Sequence, residues 1–237
     1  MINLKNEVQK RGFVVAHVKT DSIKIPDATP EIIQFVMDYG QMYGYTFEHE
    51  ATYDRMCLVN DAVYIAKYKD GKKAGQWTAT GTQFQVPYVF KKLFSKEDIL
   101  FDDMCETKSV SSALYLDRNE NLPEGEHNYI FVGKVGRFCP IKRGCNGGEL
   151  LREAKDKDGN TKYNSATGAK DYRWLEAEVV RTLGKEDDID RSYYDDLINK
   201  AIDAISEQGD FEWFISDDPY IGPEYDELGR PVYYPEE

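Results

Sequence analysis

Cysteine is scarce in this chain of 237 residues: only Cys57, Cys105, Cys139 and Cys145 occur, and no two stand in a CxxC pair. So few thiols exclude a disulfide scaffold, and a reducing compartment fits them best. Long apolar runs are missing as well. No stretch approaches the roughly 18 residues of a membrane span, and the opening MINLKNEVQKRG has none of the apolar core of a secretory signal. The sequence therefore leads to the expectation of a non-membrane, unexported protein. Histidine is limited to His17, His49 and His127, whose scatter makes no zinc spacing with Cys139 and Cys145. There is no internal repeat. The chain does hold 41% hydrophobic and 13% aromatic residues, including 17 Tyr, enough for a core despite 31% charged residues.

Basic residues are almost missing from one end, and this changes the meaning of the net charge of −13. From Lys185 to Glu237 four bases (Lys185, Arg191, Lys200, Arg230) face 17 acids, whereas residues 1–184 carry 26 of each sign. All the excess negative charge is thus C-terminal. Within the neutral part, Phe131 to Cys145 contains no acid and holds Lys134, Arg137, Lys142 and Arg143. Such a stretch suits a phosphate backbone, or equally an ordinary solvated strand face.

The pattern of apolar residues predicts an α+β fold with antiparallel strands. GFVVAHVKTDSIKI (Gly12 to Ile25) reads as two β-rich runs around Lys19-Thr20-Asp21-Ser22, a hairpin with its bend there and Pro26 as its stop. With Ile23 and Ile25 on one face and Lys24 on the other, this hairpin is expected at the centre of a sheet. Thr29, Pro30 and Glu31 supply a cap, a first-turn proline and a first-turn acid for a helix running to about Gly44. Strands are expected in YTFEH, TYDRMCLVN and AVYIAKY between Tyr45 and Tyr68. Further on, helices are expected at Pro87 to Phe94 and Lys96 to Cys105. Strands are expected at Val110 to Leu116 and Tyr129 to Ile141, with a hairpin turning at Asp158-Gly159. Asp187 to Glu207 has the clearest helical stripe, with an acidic opposite face. The Pro- and Gly-punctuated remainder reads as an acidic tail.

A carboxylate at a hairpin bend projects free of both strands and is placed to ligate a hard divalent cation, although such an Asp also commonly bonds its own backbone. Three elements in order carry a resemblance: AHVKTDS, then HEATY (His49 to Tyr53), then DAVY (Asp61 to Tyr64). Together they resemble the palm of family B DNA polymerases of the bacteriophage type, where a DTDS hairpin is succeeded by a helix, a FEKIY-like strand and a KKRY-like element. GQWTATGTQFQVPYVFKKLF (Gly75 to Phe94) is similar to the segment immediately C-terminal to that palm. Here Lys19 replaces the first aspartate of DTDS, His17-Val18 replaces a Tyr-Gly pair, and Asp61, Ala62 and Val63 stand where bases are expected before Tyr64.

The resemblance implies nucleotidyl transfer with two Mg²⁺ ions. Asp21 would be the catalytic residue and a metal ligand, and Glu50 a second ligand or a residue orienting the metal through water. Lys19, Ser22, Lys24, Tyr64 and Lys67 would face nucleic acid, together with Lys134, Arg137, Lys142 and Arg143. It also implies that the partner carboxylate, the fingers and any exonuclease lie on an N-terminal polymerase fragment, so that this chain would not polymerise alone. The expected partners are that fragment, primer-template DNA and deoxynucleoside triphosphates, in the cytoplasm of an infected bacterial host. On this basis residues 1–85 form the C-terminal part of the palm, 86–207 a mixed thumb-like region and 208–237 the acidic tail. The alternative is a non-catalytic phage protein that binds DNA or a replication partner and keeps a relic palm fold. A purely structural role through the acidic tail is a third reading.

Overall fold

The computed structural model describes residues 1–168 and 171–232. The fold is α+β with antiparallel sheets. It divides into two compact units, one formed by Met1–Thr78 together with Glu212–Glu237, the other by Ala79–Phe211. The boundary thus falls before residue 79, not after 85. The expected tail is largely not a separate region either, because the chain from Glu212 onward belongs to the same unit as its first 78 residues.

The first unit opens with a helix that the sequence reading did not anticipate, α1 (Ile2–Lys10), which buries Leu4 and Val8. The hairpin comes next as β1 (His17–Val18) and β2 (Ile23–Lys24), joined in register His17 to Lys24 and Val18 to Ile23. It is shorter than expected and forms its own two-stranded sheet rather than the centre of a larger one. The reason lies in its flanks. Phe13, Val15, Ile23 and Ile25 are drawn into an apolar cluster with Leu4, Val8, Ile32 and Val36, so the chain leaves the ladder to fill a core. Helix α2 (Pro30–Met42) begins where the capping signal put it, with the Thr29 hydroxyl accepting the Ile32 N–H at 3.4 Å.

Residues 45–52 hold no strand, contrary to the expectation from YTFEH. The aromatic Phe47 packs instead against the α1–α2 cluster. Beyond it lies a three-stranded sheet in the order β3 (Tyr53–Leu58), β4 (Tyr64–Tyr68), β5 (Trp77–Thr80). Asn60 turns the first connection, its side-chain oxygen accepting the N–H groups of Ala62 and Val63.

The second unit holds a five-stranded sheet ordered β10-β7-β6-β8-β9. Its strands are β6 (Glu106–Asp117), β7 (Tyr129–Ile141), β8 (Glu149–Lys155), β9 (Thr161–Ser165) and β10 (Arg173–Glu176). The β8–β9 turn forms where the sequence placed it, with Asp156 accepting backbone N–H groups of Asp158 and Asn160 and Gly159 at φ 84°. Before the sheet, Pro87 to Phe94 is helical in two pieces: α4 (Pro87–Phe90), preceded by α3 (Thr82–Gln85), runs on into a wider turn at Lys91–Ser95. The helix expected over Lys96 to Cys105 is reduced to one tight turn at Phe101–Met104. Lys96 takes a left-handed conformation (φ 57°) that stops the run, and the Asp103 carboxylate accepts the Leu100 N–H at 2.7 Å. Beyond β10, α5 (Ala177–Thr182) and α6 (Ser192–Ser206) complete the unit. Tyr88 stacks on Tyr194 of α6 at 4.4 Å, beside buried Leu114, Leu116, Phe138 and Trp174.

The expected tail is ordered as α7 (Phe211–Ile215) and a small hairpin of β11 (Glu224–Tyr225) with β12 (Pro231–Val232); positions 233–237 lie outside the described residues. A buried side chain helps to fasten it. Arg55 of β3, with only 3% of its side chain exposed, donates to the carbonyls of Trp213 (2.8 Å), Ser216 (3.0 Å) and Asp218 (2.6 Å), and pairs with Asp54 at 2.9 Å. Its guanidinium also lies 4.6 Å from the Trp213 ring centroid. Replacing Arg55 with Met removes the donor that these carbonyls share and should cost about 3 kcal/mol of stability. Urea unfolding monitored by Trp fluorescence reads that loss, and an unchanged midpoint would reject the role.

Candidate functional site

The bend of the hairpin is closed by the Lys19 N–H donating to the Ser22 carbonyl at 2.9 Å, and the Ala16 N–H reaches the Lys24 carbonyl at 3.0 Å. This tight closure leaves Lys19, Thr20 and Asp21 exposed, with Ser22 half-buried beneath them. Asp21 therefore stands at the exposed tip, as the sequence implied.

At the base of the same hairpin two residues singled out separately, Lys24 and Tyr64, come together. The Lys24 ammonium lies 5.4 Å from the Tyr64 ring centroid and 5.9 Å from that of Tyr53. Tyr53 packs against Tyr68 at 5.2 Å. Burial holds the Tyr53 hydroxyl well above its ordinary range, and the neighbouring Tyr64, Tyr68 and Glu50 push the same way. Glu50 thus lies within electrostatic reach of this tyrosine cluster. The sequence reading missed Tyr53 as the centre of the cluster, although its place at the end of HEATY, opposite Tyr68 in the β3–β4 register, was a signal for it.

No group of three or more His, Cys, Asp or Glu side chains able to hold a metal occurs among the described residues. Mg²⁺ commonly takes one or two protein carboxylates and completes its shell with water and phosphate oxygens. The exposed Asp21 carboxylate suits one such position, and the rest of the donor set is not assembled within the described residues.

The basic residues fare differently from one another. Lys67 is not free for phosphate, because its ammonium pairs with Asp217 at 2.8 Å and lies 5.7 Å from the Trp77 ring centroid. Arg137 is likewise engaged. It shares the Asp102 carboxylate with Arg181, at 2.8 and 3.0 Å, and these cations hold that carboxyl below the usual carboxylate range. Lys142 donates to the Asp187 carbonyl at 2.7 Å and Arg143 to the Asp171 carbonyl at 3.2 Å, contacts with neutral acceptors that leave the charges of both bases in place. Lys134 is exposed on β7. The stretch is acid-free in sequence but not in space: Glu120 accepts the Gly144 N–H with both carboxylate oxygens at 3.0 Å, and Asp102 and Asp187 stand beside it.

This arrangement lowers the electrostatic return expected from binding to duplex DNA. With Arg137 occupied by Asp102, at most three charges of the stretch are available, so residues 131–145 should contribute no more than about −2.7 to the slope of log K against log salt. Salt titrations by fluorescence anisotropy of the full chain and of its Arg137→Gln variant measure it, and a slope shallower by about 0.9 in the variant would mean that Arg137 abandons Asp102 for phosphate. Comparison of the chain with family models, with curated proteins and with solved structures finds no match in any of the three.

Proposed function

We propose that this chain is the C-terminal palm and thumb portion of a bacteriophage-type family B DNA polymerase, acting with a separately encoded N-terminal portion. The observation that carries the reading is the pairing of an exposed carboxylate at a tight hairpin tip with a hairpin base anchored on Tyr64. In this reading each part has a task. Asp21 would hold one Mg²⁺, and that ion would supply charge stabilisation for nucleotidyl transfer. Lys24 and Tyr64 hold the hairpin strand to β4 so that the Asp21 tip keeps a fixed aim, since a misplacement of about 1 Å costs on the order of 100-fold in rate. Glu50, within electrostatic reach of Tyr53, would orient water near the metal. Lys19 at the tip meets the primer backbone as a point charge.

The reading in which the protein only binds DNA through residues 131–145 gains less support, because carboxylates crowd that stretch. The test is reconstitution with the polypeptide encoded immediately upstream. Wild type should extend a primer when the two are mixed. Asp21→Asn should lower the extension rate by about 100-fold or more while leaving primer-template affinity within about twofold, since it removes metal-binding charge and little shape. Extension that survives the substitution would reject the role of Asp21. A mixture that never extends primers would reject the polymerase reading itself.

A further inference from the structure

Among the described residues one pair of cysteines has its sulfurs in contact: Cys105 Sγ lies 3.4 Å from Cys139 Sγ. The ladder explains this meeting. Glu106 pairs with Phe138 in the β6–β7 register, so Cys105 and Cys139 are the next opposed positions, where Cα atoms of antiparallel strands approach to about 4.5 to 5.5 Å. Disulfides span that separation without backbone movement, and the sulfurs need close only to about 2.05 Å. We propose that Cys105 and Cys139 form a reversible oxidation site that takes a hydroperoxide as its oxidant. The proposal is independent of the polymerase reading.

The two thiols differ in what surrounds them. Cys139 is fully buried, whereas Cys105 is partly exposed at the end of the Phe101–Met104 turn. Phe101, Arg137 and Arg181 line an open depression of about 270 Å³, and the same two arginines act electrostatically on Cys105. A hydrogen bond from Cys139, helped by Arg137 and Arg181 against the pull of burial and Asp102, lowers the Cys105 thiol, and the same contact together with burial raises Cys139. Cys105, the partly exposed partner, is therefore the sulfur that meets the oxidant, and buried Cys139 the one that later resolves it. The remaining cysteines are internal controls. Burial pushes Cys57 up to about 11, and burial with the nearby Asp188 raises Cys145.

The chemistry balances in two steps. The Cys105 thiolate attacks one peroxide oxygen, the O–O bond breaks, and the departing hydroxide takes a proton to leave as water, giving a sulfenic acid. Cys139 then gives up its proton and its sulfur attacks Cys105 Sγ. The S–S bond forms, the S–O bond breaks, and a second water leaves. Two thiols have lost two electrons and the peroxide has gained them.

The experiment treats the full chain with a few equivalents of hydrogen peroxide, blocks remaining thiols with N-ethylmaleimide after acid quenching and unfolding, and maps the non-reduced digest by mass spectrometry. The expected result is a peptide cross-linked between Cys105 and Cys139, about 2 Da lighter than the sum of its parts, with Cys57 and Cys145 still labelled. Dithiothreitol should restore all four labels. In Cys139→Ala the sulfenic acid on Cys105 should persist and be captured by dimedone. In Cys105→Ser, Cys139 should stay reduced. The linked wild-type protein should also melt higher by about 5 °C or more, as a closed loop of this length constrains the unfolded chain. Labelling of Cys105 and Cys139 as complete as that of Cys57, a cross-link through any other cysteine, or oxidation of Cys139 without Cys105 would each overturn the proposal.

Discussion

The first unit depends on a single buried cation. Arg55 projects from β3 with almost no exposure and donates to four backbone carbonyls between Trp213 and Asp218. Burying a guanidinium is costly unless its donors are filled, and carbonyls at the end of a short helix are costly unless a donor meets them. Each solves the other's problem. Around this core of polar contacts the Trp213 ring covers the guanidinium face, Phe214 packs on Trp77 at 5.4 Å, and Asp217 takes up Lys67. What composition alone describes as an acidic appendage is thereby in large part a structural component, held by bases on the neutral portion of the chain.

Much of the fold is legible in local chemistry. The Thr29-Pro30 signal starts α2, Asp158-Gly159 turns β8 into β9, and the alternation of Ile23, Lys24 and Ile25 sends the isoleucines to the core and the lysine to the tyrosines. The failures have a common physical origin in interactions that composition does not register. YTFEH has the composition of a strand, yet Phe47 is claimed by the α1–α2 cluster. Lys96 to Cys105 has helical composition, yet Asp103 commits its carboxylate to Leu100 and Lys91. No sequence window contains both Arg55 and the carbonyls that it serves.

The candidate site divides along the same line. The place of Asp21 at the tip was legible because a four-residue bend is a local event, whereas Tyr64 was singled out only through the resemblance of DAVY to a KKRY-like element. The meeting of Lys24 with Tyr53 and Tyr64 joins a hairpin to a different sheet, and the occupation of Lys67 and Arg137 by Asp217 and Asp102 joins residues far apart in the chain. A count of bases along a stretch registers charge but not its neutralisation in space. For that reason the segment from Phe131 to Cys145 looks more inviting to phosphate as a string of letters than as a surface.

The closing of the first unit by both ends of the chain also bears on its birth at the ribosome. Arg55 leaves the exit tunnel 158 residues ahead of the Trp213 carbonyl that it will serve, a delay of about 8 to 30 s at an elongation rate of about 5 to 20 residues per second. Meanwhile the contiguous second unit emerges whole and is free to fold, while the earlier-made strands wait with an unsatisfied guanidinium and an uncovered Trp77. The middle of the sequence is therefore free to mature first, and the first 78 residues are the portion that nascent-chain chaperones have longest to engage.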